Sequence, residues 1–200
     1  MNNENRKIIF LFPLLIYLIS ALVGCTSSQE RRILVVHSYE ETYAAYPEFN
    51  RLIAKQFKKE GVNADIRTLY LDCESYKEET ELKRMRYLLD SVSGDWRPEV
   101  ILVNEDQATY SLLKCGDPLV KEVPVVFAGV NYPNWELLKQ YPNATGFHDK
   151  IGFVQNAEMA RKLFGDSVRL FTLLDSTFLD VQIRKDARKQ LAGHRVTGFM

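Results

Sequence analysis

Ile33-Leu34-Val35-Val36-His37-Ser38-Tyr39 is four apolar residues in a row, three of them β-branched, running into a polar, hydroxyl-bearing end. A strand with one wet face alternates apolar and polar residues. A strand buried on both faces, as in a parallel sheet, reads as a continuous apolar run. The same form recurs at Val100-Ile101-Leu102-Val103 and at Val123-Pro124-Val125-Val126-Phe127. Between these runs the period changes. Phe49, Leu52, Ile53 and Phe57 share one side of a helix, Lys55, Lys58, Lys59 and Glu60 lie on the other, and Gly61 ends it. Asn63 to Leu71 reads as a second strand, and Glu78 to Val92 as a helix with Leu82, Met85, Leu88 and Leu89 inward. A short helix at Asp106–Lys114, a turn over Ala128–Asn131, a helical turn at Trp135–Gln140 and a fifth strand at Ala144–Phe147 complete this part. Strands alternating with helices, and no two-residue hairpin signal, give an α/β fold with a doubly wound parallel sheet and right-handed crossovers.

The pattern restarts near Asp149. A helix is expected over Val154–Phe164 with Ala157, Ala160, Leu163 and Phe164 inward, then a strand over Val168–Leu174. A helix over Leu179–Leu191 and the start of a strand at Arg195–Met200 follow. The expected organisation is a first α/β lobe over 33–147 and the truncated start of a second over 148–200.

The N-terminus bounds the compartment. Arg6 and Lys7 precede an apolar run from Ile8 to Gly24, about 17 residues, where a spanning helix needs about 20. The run suits the h-region of a signal peptide and closes on Leu22-Val23-Gly24-Cys25. This resembles the lipobox of bacterial lipoproteins, which implies lipidation of Cys25, with residues 26–32 as a tether. An uncleaved anchor helix is the alternative. Either places the rest of the chain on the extracytoplasmic side of a membrane, because the positive charge precedes the apolar run.

Composition narrows the partners. Lys plus Arg and Asp plus Glu are equal at 26 each, with no basic stripe, which argues against nucleic acid. Cys73 and Cys115 read either as a disulfide or as separate thiols. No C-x-x-C occurs, and His37, His148 and His194 stand far apart, so no metal or cofactor is expected. The phosphate-binding glycine motifs, G-x-S-x-G and H-E-x-x-H are missing from the sequence, and no catalytic residue is assigned.

In open parallel sheets ligands bind beyond the carboxyl ends of the strands. That rule selects His37, Ser38, Tyr39 and Tyr43 after the first strand, and Asn104, Glu105, Asp106 and Gln107 after the third. Gly129, Val130 and Asn131 follow the fourth, and Asp175, Ser176 and Thr177 the strand ending at Leu174. Hydroxyls, amides and carboxylates with tyrosine cover suit a small polar ligand. Ser38, Asp106 and Ser176 equally suit helix caps, and Gly129 a tight turn.

These segments, ILVVHSY at 33–39, VILV with Asn104-Glu105-Asp106, VPVVFAGVN at 123–131 and Asn143-Ala144-Thr145-Gly146-Phe147, resemble the ABC-transporter substrate-binding proteins of the type I periplasmic fold. They resemble especially the version that serves as the extracytoplasmic sensor of bacterial histidine kinases. The resemblance implies a non-catalytic domain holding a small molecule between two lobes hinged near Asn143–Asp149. It implies either an ABC permease or a sensor kinase as the membrane partner.

Overall fold

The computed structural model describes residues 29–174 and 178–193. Five strands, β1 (Arg31–His37), β2 (Ala64–Tyr70), β3 (Val100–Asn104), β4 (Val125–Val130) and β5 (Ala144–His148), form one wholly parallel sheet in the order β2-β1-β3-β4-β5. The helices are α1 (Tyr46–Lys59), α2 (Glu78–Ser93), α3 (Asp106–Lys114), α4 (Leu119–Glu122), α5 (Trp135–Leu138), α6 (Phe153–Phe164) and α7 (Phe178–Gln190). This is the doubly wound parallel α/β arrangement expected from the sequence.

The two faces of β1 explain its unbroken apolar run. Side chains alternate along a strand. Leu34 and Val36 enter a core with Ile101 and Val103 of β3, Val125 and Phe127 of β4, Met85 and Leu89 of α2, and Leu112 of α3. Ile33, Val35 and His37 take the opposite phase and are equally buried, and there α1 brings Tyr46 and Phe49 against the His37 ring. Burying a Leu or Val side chain contributes about 1.5–3 kcal/mol, so this strand anchors the lobe. β5 lies at the sheet edge and is largely exposed, with Phe147 78% accessible.

The sheet order sets the position of a crevice. From β1 the chain moves to one side to form β2, then crosses to the other side to form β3. The loops leaving β1 and β3 therefore diverge at their carboxyl ends, which is where ligands enter doubly wound sheets.

Several expectations are corrected. β4 starts at Val125, because Pro124 has no N–H to give the ladder and the Val123 N–H closes α4 on the Leu119 carbonyl at 3.0 Å. It then runs to Val130, through the stretch expected to turn. The turn α4 was not anticipated; the Asp117 carboxylate accepts the Leu119 N–H at 2.9 Å and initiates it. Val168–Leu174 forms no strand, and Phe171 and Leu173 are 84% and 96% accessible. A strand exists only beside another that takes its backbone hydrogen bonds. Among the described residues, none pairs with it. For the same reason Leu163 and Phe164 of α6, expected inward, are exposed. Cys73 and Cys115 are separate free thiols, one buried and one half-buried. Burial pushes the Cys73 thiol up to about 12, which keeps it protonated and unreactive. The strand expected at Arg195–Met200 and the apolar N-terminal run lie outside the described residues. No helix among the described residues is long and apolar enough to cross a membrane.

Candidate functional site

At the end of β1, His37 is fully buried. Its ring stacks on Tyr46 with centroids 3.8 Å apart, lies 5.5 Å from Tyr70, and meets the edge of Phe49. Its Nε2 is 2.8 Å from Asn50 Oδ1, while Asn50 Nδ2 donates to the Tyr70 hydroxyl at 3.2 Å. Because the Asn50 amide nitrogen is used towards Tyr70, its oxygen accepts and Nε2 carries the proton. Burial lowers the His37 pKa, against the opposing pull of Asn50, so the ring is neutral. It is a packing element, not an exposed base.

Ser38 is also fully buried. Its Oγ donates to the Asn104 carbonyl at 3.0 Å and accepts the Ala108 N–H at 2.9 Å. One hydroxyl thus ties β1 to β3 and satisfies a free N–H in the first turn of α3. Tyr39 and Tyr43 follow, with rings 4.8 Å apart and Tyr43 40% accessible. The Tyr46 hydroxyl donates to Glu105 Oε2 at 2.8 Å and accepts the Tyr39 N–H at 3.1 Å.

Glu105, between β3 and α3, has φ 74° and ψ 170°. This region is essentially confined to glycine and costs a side-chain-bearing residue about 1–3 kcal/mol. Its N–H donates to the Ala128 carbonyl at 2.8 Å, and its own carbonyl accepts from Thr109 Oγ1 at 2.6 Å. Burial raises the Glu105 pKa, and the hydrogen bond from Tyr46 opposes the rise. Gly129 beside it has φ +67°, a conformation that favours glycine, and a Cβ there would lie a tight 3.2 Å from Asn104 Oδ1.

Asp106 is 2% accessible and organises the next loop. Oδ2 accepts the Asn131 N–H at 2.8 Å and Oδ1 the Tyr132 N–H at 3.0 Å. The hydroxyl of Tyr110, one helical turn on, donates to the Tyr132 carbonyl and accepts the Asn134 N–H at 2.9 Å. Residues 131–134 are thereby fastened to α3 at four points. They form, with Trp135 and Gln182 of α7, an open pocket of about 370 Å³ lined by Asn131, Tyr132, Pro133, Asn134, Trp135 and Gln182. The Tyr132 hydroxyl reaches Asp186 of α7 at 3.5 Å, and burial beside that carboxylate pushes it up to about 12.

The residues selected from the sequence thus divide into two groups. Ser38, Asp106 and Val130 are buried and serve the scaffold. Tyr39, Tyr43, Asn104 and Asn131 stay at least partly accessible along the carboxyl edge, with Gly129 allowing the β4 end to approach β3. Asp175, Ser176, Thr177 and Cys25 lie outside the described residues. Tyr46, Tyr132, Trp135 and Gln182 were not selected. Glu105 falls in the strand-end set, but nothing in its neighbours signals a positive φ; Tyr132-Pro133 directly follows a selected residue. Among the described residues no group of three His, Cys, Asp or Glu could hold a metal ion.

No family model matches the chain, and no curated protein matches it in sequence. The fold is nonetheless a known one. A conserved domain protein of Vibrio cholerae O1 biovar El Tor superposes with a TM-score of 0.64 at 16% identity, over 84% of this chain and 55% of that one. A substrate binding protein with adhesive properties from Clostridium difficile, solved ligand-free and open, gives a TM-score of 0.52 at 13% identity, over 82% and 54%. The chain spans about half the length of either.

Proposed function

We propose that this chain is a non-catalytic, extracytoplasmic, membrane-anchored binding protein for a small molecule, with the carboxyl edge of the β1-β3-β4 sheet as one wall of the ligand site. The observation that carries this reading is Glu105. A carboxylate held half-buried in a glycine-only conformation, at the point where the strand order reverses, stores strain where doubly wound sheets receive ligands. The likeness in fold to a substrate binding protein supports the same reading. The roles found for Ser38, His37 and Asp106 count against catalysis. Ser38 and Asp106 spend their hydrogen-bonding groups on the scaffold, and the His37 ring is fully buried between Tyr46 and Tyr70 with its Nε2 on Asn50.

On this reading a second lobe closes over the edge, and ligand shifts an open–closed population by its differential affinity. If Cys25 is lipidated, the protein is tethered and serves a permease. If Ile8 to Gly24 persists as a helix, the same domain is the outer half of a histidine-kinase sensor, the alternative reading. A thermal-shift screen of the full chain with amino acids, nucleosides and sugars tests binding. A ligand at 100 times its dissociation constant adds about 2.7 kcal/mol, and no shift with any class would remove the proposal. Mass spectrometry of the mature N-terminus decides the anchor, and an intact Met1 would exclude lipidation.

A further inference from the structure

The chain leaves the sheet for α6 through a short stretch that is fastened on both sides. Up to Asp149 it belongs to the sheet: His148 pairs with Val130, and the Asp149 N–H donates to the Val130 carbonyl at 2.8 Å. From Ile151 it belongs to α7. The Gln190 side chain donates to the Ile151 carbonyl at 2.8 Å and accepts the Phe153 N–H at 3.1 Å, so one amide clamps both sides of Gly152. Gly152 is the N-cap of α6 and has no side chain to satisfy the first turn, and Gln190 does so from another helix. Lys150 is the residue between the two anchorages. A further contact reaches back to the sheet side. Asp186 lies one turn before Gln190 on α7. Its Oδ2 accepts from Gln190 Nε2 at 2.8 Å and from the Tyr132 hydroxyl at 3.5 Å. Tyr132 itself is held by Asp106. The clamp is thus tight and the link to Tyr132 is stretched, since an O–H···O bond ordinarily spans about 2.7–2.8 Å.

We infer that α6, α7 and residues 151–153 move as one body, that this body pivots at Lys150, and that the Tyr132–Asp186 contact is the catch holding it against the first sheet. A hinge needs only a few residues that absorb a change in φ and ψ. Lys150 is exposed, with a paired strand on one side and the Gln190 clamp on the other. The stretch before it is not free to turn. Asn143 Nδ2 donates to the Val120 and Val123 carbonyls, and β5 is paired along β4. When the joint is loaded, a contact stretched to 3.5 Å gives way before an amide that makes three bonds. The consequence falls on the pocket, because Tyr132 lines it and so does Gln182, one turn before Asp186 on the same helix. Release of the catch moves Gln182 away from Asn131–Trp135 and widens the pocket. A molecule that draws the Tyr132 hydroxyl from Asp186 does the same, so the catch competes with whatever occupies that space. The catch does not require the pocket to bind anything, and the binding function proposed above does not require the catch.

The test is limited tryptic cleavage of the full-length chain, with mass spectrometry of the fragment ending at Lys150. Cleavage of a folded chain follows the population of the locally open form. Tyr132→Phe is the first variant because it removes the catch and leaves every charge in place, whereas Asp186→Asn also alters the balance among Arg184, Lys185, Arg188 and Lys189 on α7. Tyr132→Phe should speed cleavage after Lys150 about threefold and leave cleavage after Lys58 and Lys59 of α1 unchanged. Gln190→Ala removes the clamp and the bond that orients Asp186, and should speed cleavage after Lys150 at least tenfold. Amide exchange followed by nuclear magnetic resonance separates the two parts. The Phe153 N–H should keep its protection in Tyr132→Phe and exchange at least tenfold faster in Gln190→Ala. Unchanged cleavage after Lys150 in Tyr132→Phe overturns the catch. Faster cleavage at Lys58 and Lys59 as well as at Lys150 reports a general loss of stability and also overturns it. Equal loss of Phe153 protection in both variants overturns the pivot, because clamp and catch then open as one.

Discussion

Asp106→Ala separates a scaffold role from a ligand role for the most buried carboxylate on the carboxyl edge. The substitution removes the acceptor for two backbone N–H groups, those of Asn131 and Tyr132, at 2.8 and 3.0 Å. Each donor left without a partner costs about 1–3 kcal/mol, and the gross loss is about 2–6 kcal/mol. Part of this is returned. Burial outweighs the hydrogen bonds in setting the Asp106 pKa, which is raised, so the wild-type ion carries a desolvation cost that alanine does not. The net expectation is about 2–4 kcal/mol, or a melting temperature lower by about 5–15 °C for a chain of this size. Asp106→Asn keeps one acceptor oxygen and turns an N–H₂ towards the other donor, so it should lose about half as much. The assay is urea unfolding of the purified full chain followed by tryptophan fluorescence. Trp135 begins the helix after the loop, so its emission should also shift in the folded baseline of Asp106→Ala. A loss below about 0.5 kcal/mol with an unchanged baseline would refute the anchoring role.

Three further outcomes are expected. Glu105→Gly should be more stable than Glu105→Ala by about 1 kcal/mol, because relief of the backbone strain exceeds the entropy cost of glycine, and equal stability in urea would show that no strain is stored. Gly146→Ala should destabilise by more than about 2 kcal/mol, since its Cβ would stand 2.0 Å from the Phe127 carbonyl oxygen, a backbone atom that no rotamer change can move; a loss under about 0.5 kcal/mol would mean that β5 does not pair there. Glu81 is buried with its pKa raised above 4.5, first by desolvation and also by Glu78, so the native state holds that proton more tightly than the unfolded one. Its stability contribution is therefore present below 4.5 and lost as pH rises through the folded value. Glu81→Gln should match wild type near pH 4 and exceed it at pH 7 in urea midpoints, and a difference that shrinks with rising pH would contradict the sign.

The strands that are buried on both faces were legible because their chemistry is local. Val100–Val103 can only be a covered strand, and the helix phases of Phe49–Phe57 and Leu82–Leu89 state which side is covered. The failures share one physical cause. Val168–Leu174 has the same apolar character as β1, yet β1 has β2 and β3 on its two sides and Val168–Leu174 has no neighbour among the described residues. Composition reports what a segment could bury, and only the partner decides whether it does. Pro124 shows the smaller version: one missing N–H moved the start of β4 by two residues and left the Val123 N–H to close α4.

The site was less legible than the fold for a related reason. Sequence position identifies the carboxyl edge but not which of its polar groups are already used. Ser38 and Asp106 look like ligand contacts until their partners are counted, and each is satisfied by backbone groups distant in sequence: Asn104 and Ala108 for the first, Asn131 and Tyr132 for the second. A buried hydroxyl or carboxylate with its hydrogen bonds made has little to offer a ligand and much to offer the scaffold. What remains for recognition is the set that the scaffold does not consume, the amides and rings at Asn131–Trp135 and Gln182. Asp106 is what links the two sets. By holding the Asn131 and Tyr132 backbones it shapes the pocket proposed as the ligand site without itself lining it. Damage to Asp106 should therefore lower affinity only as far as it disorders that loop, while Trp135→Ala lowers affinity with the fold intact.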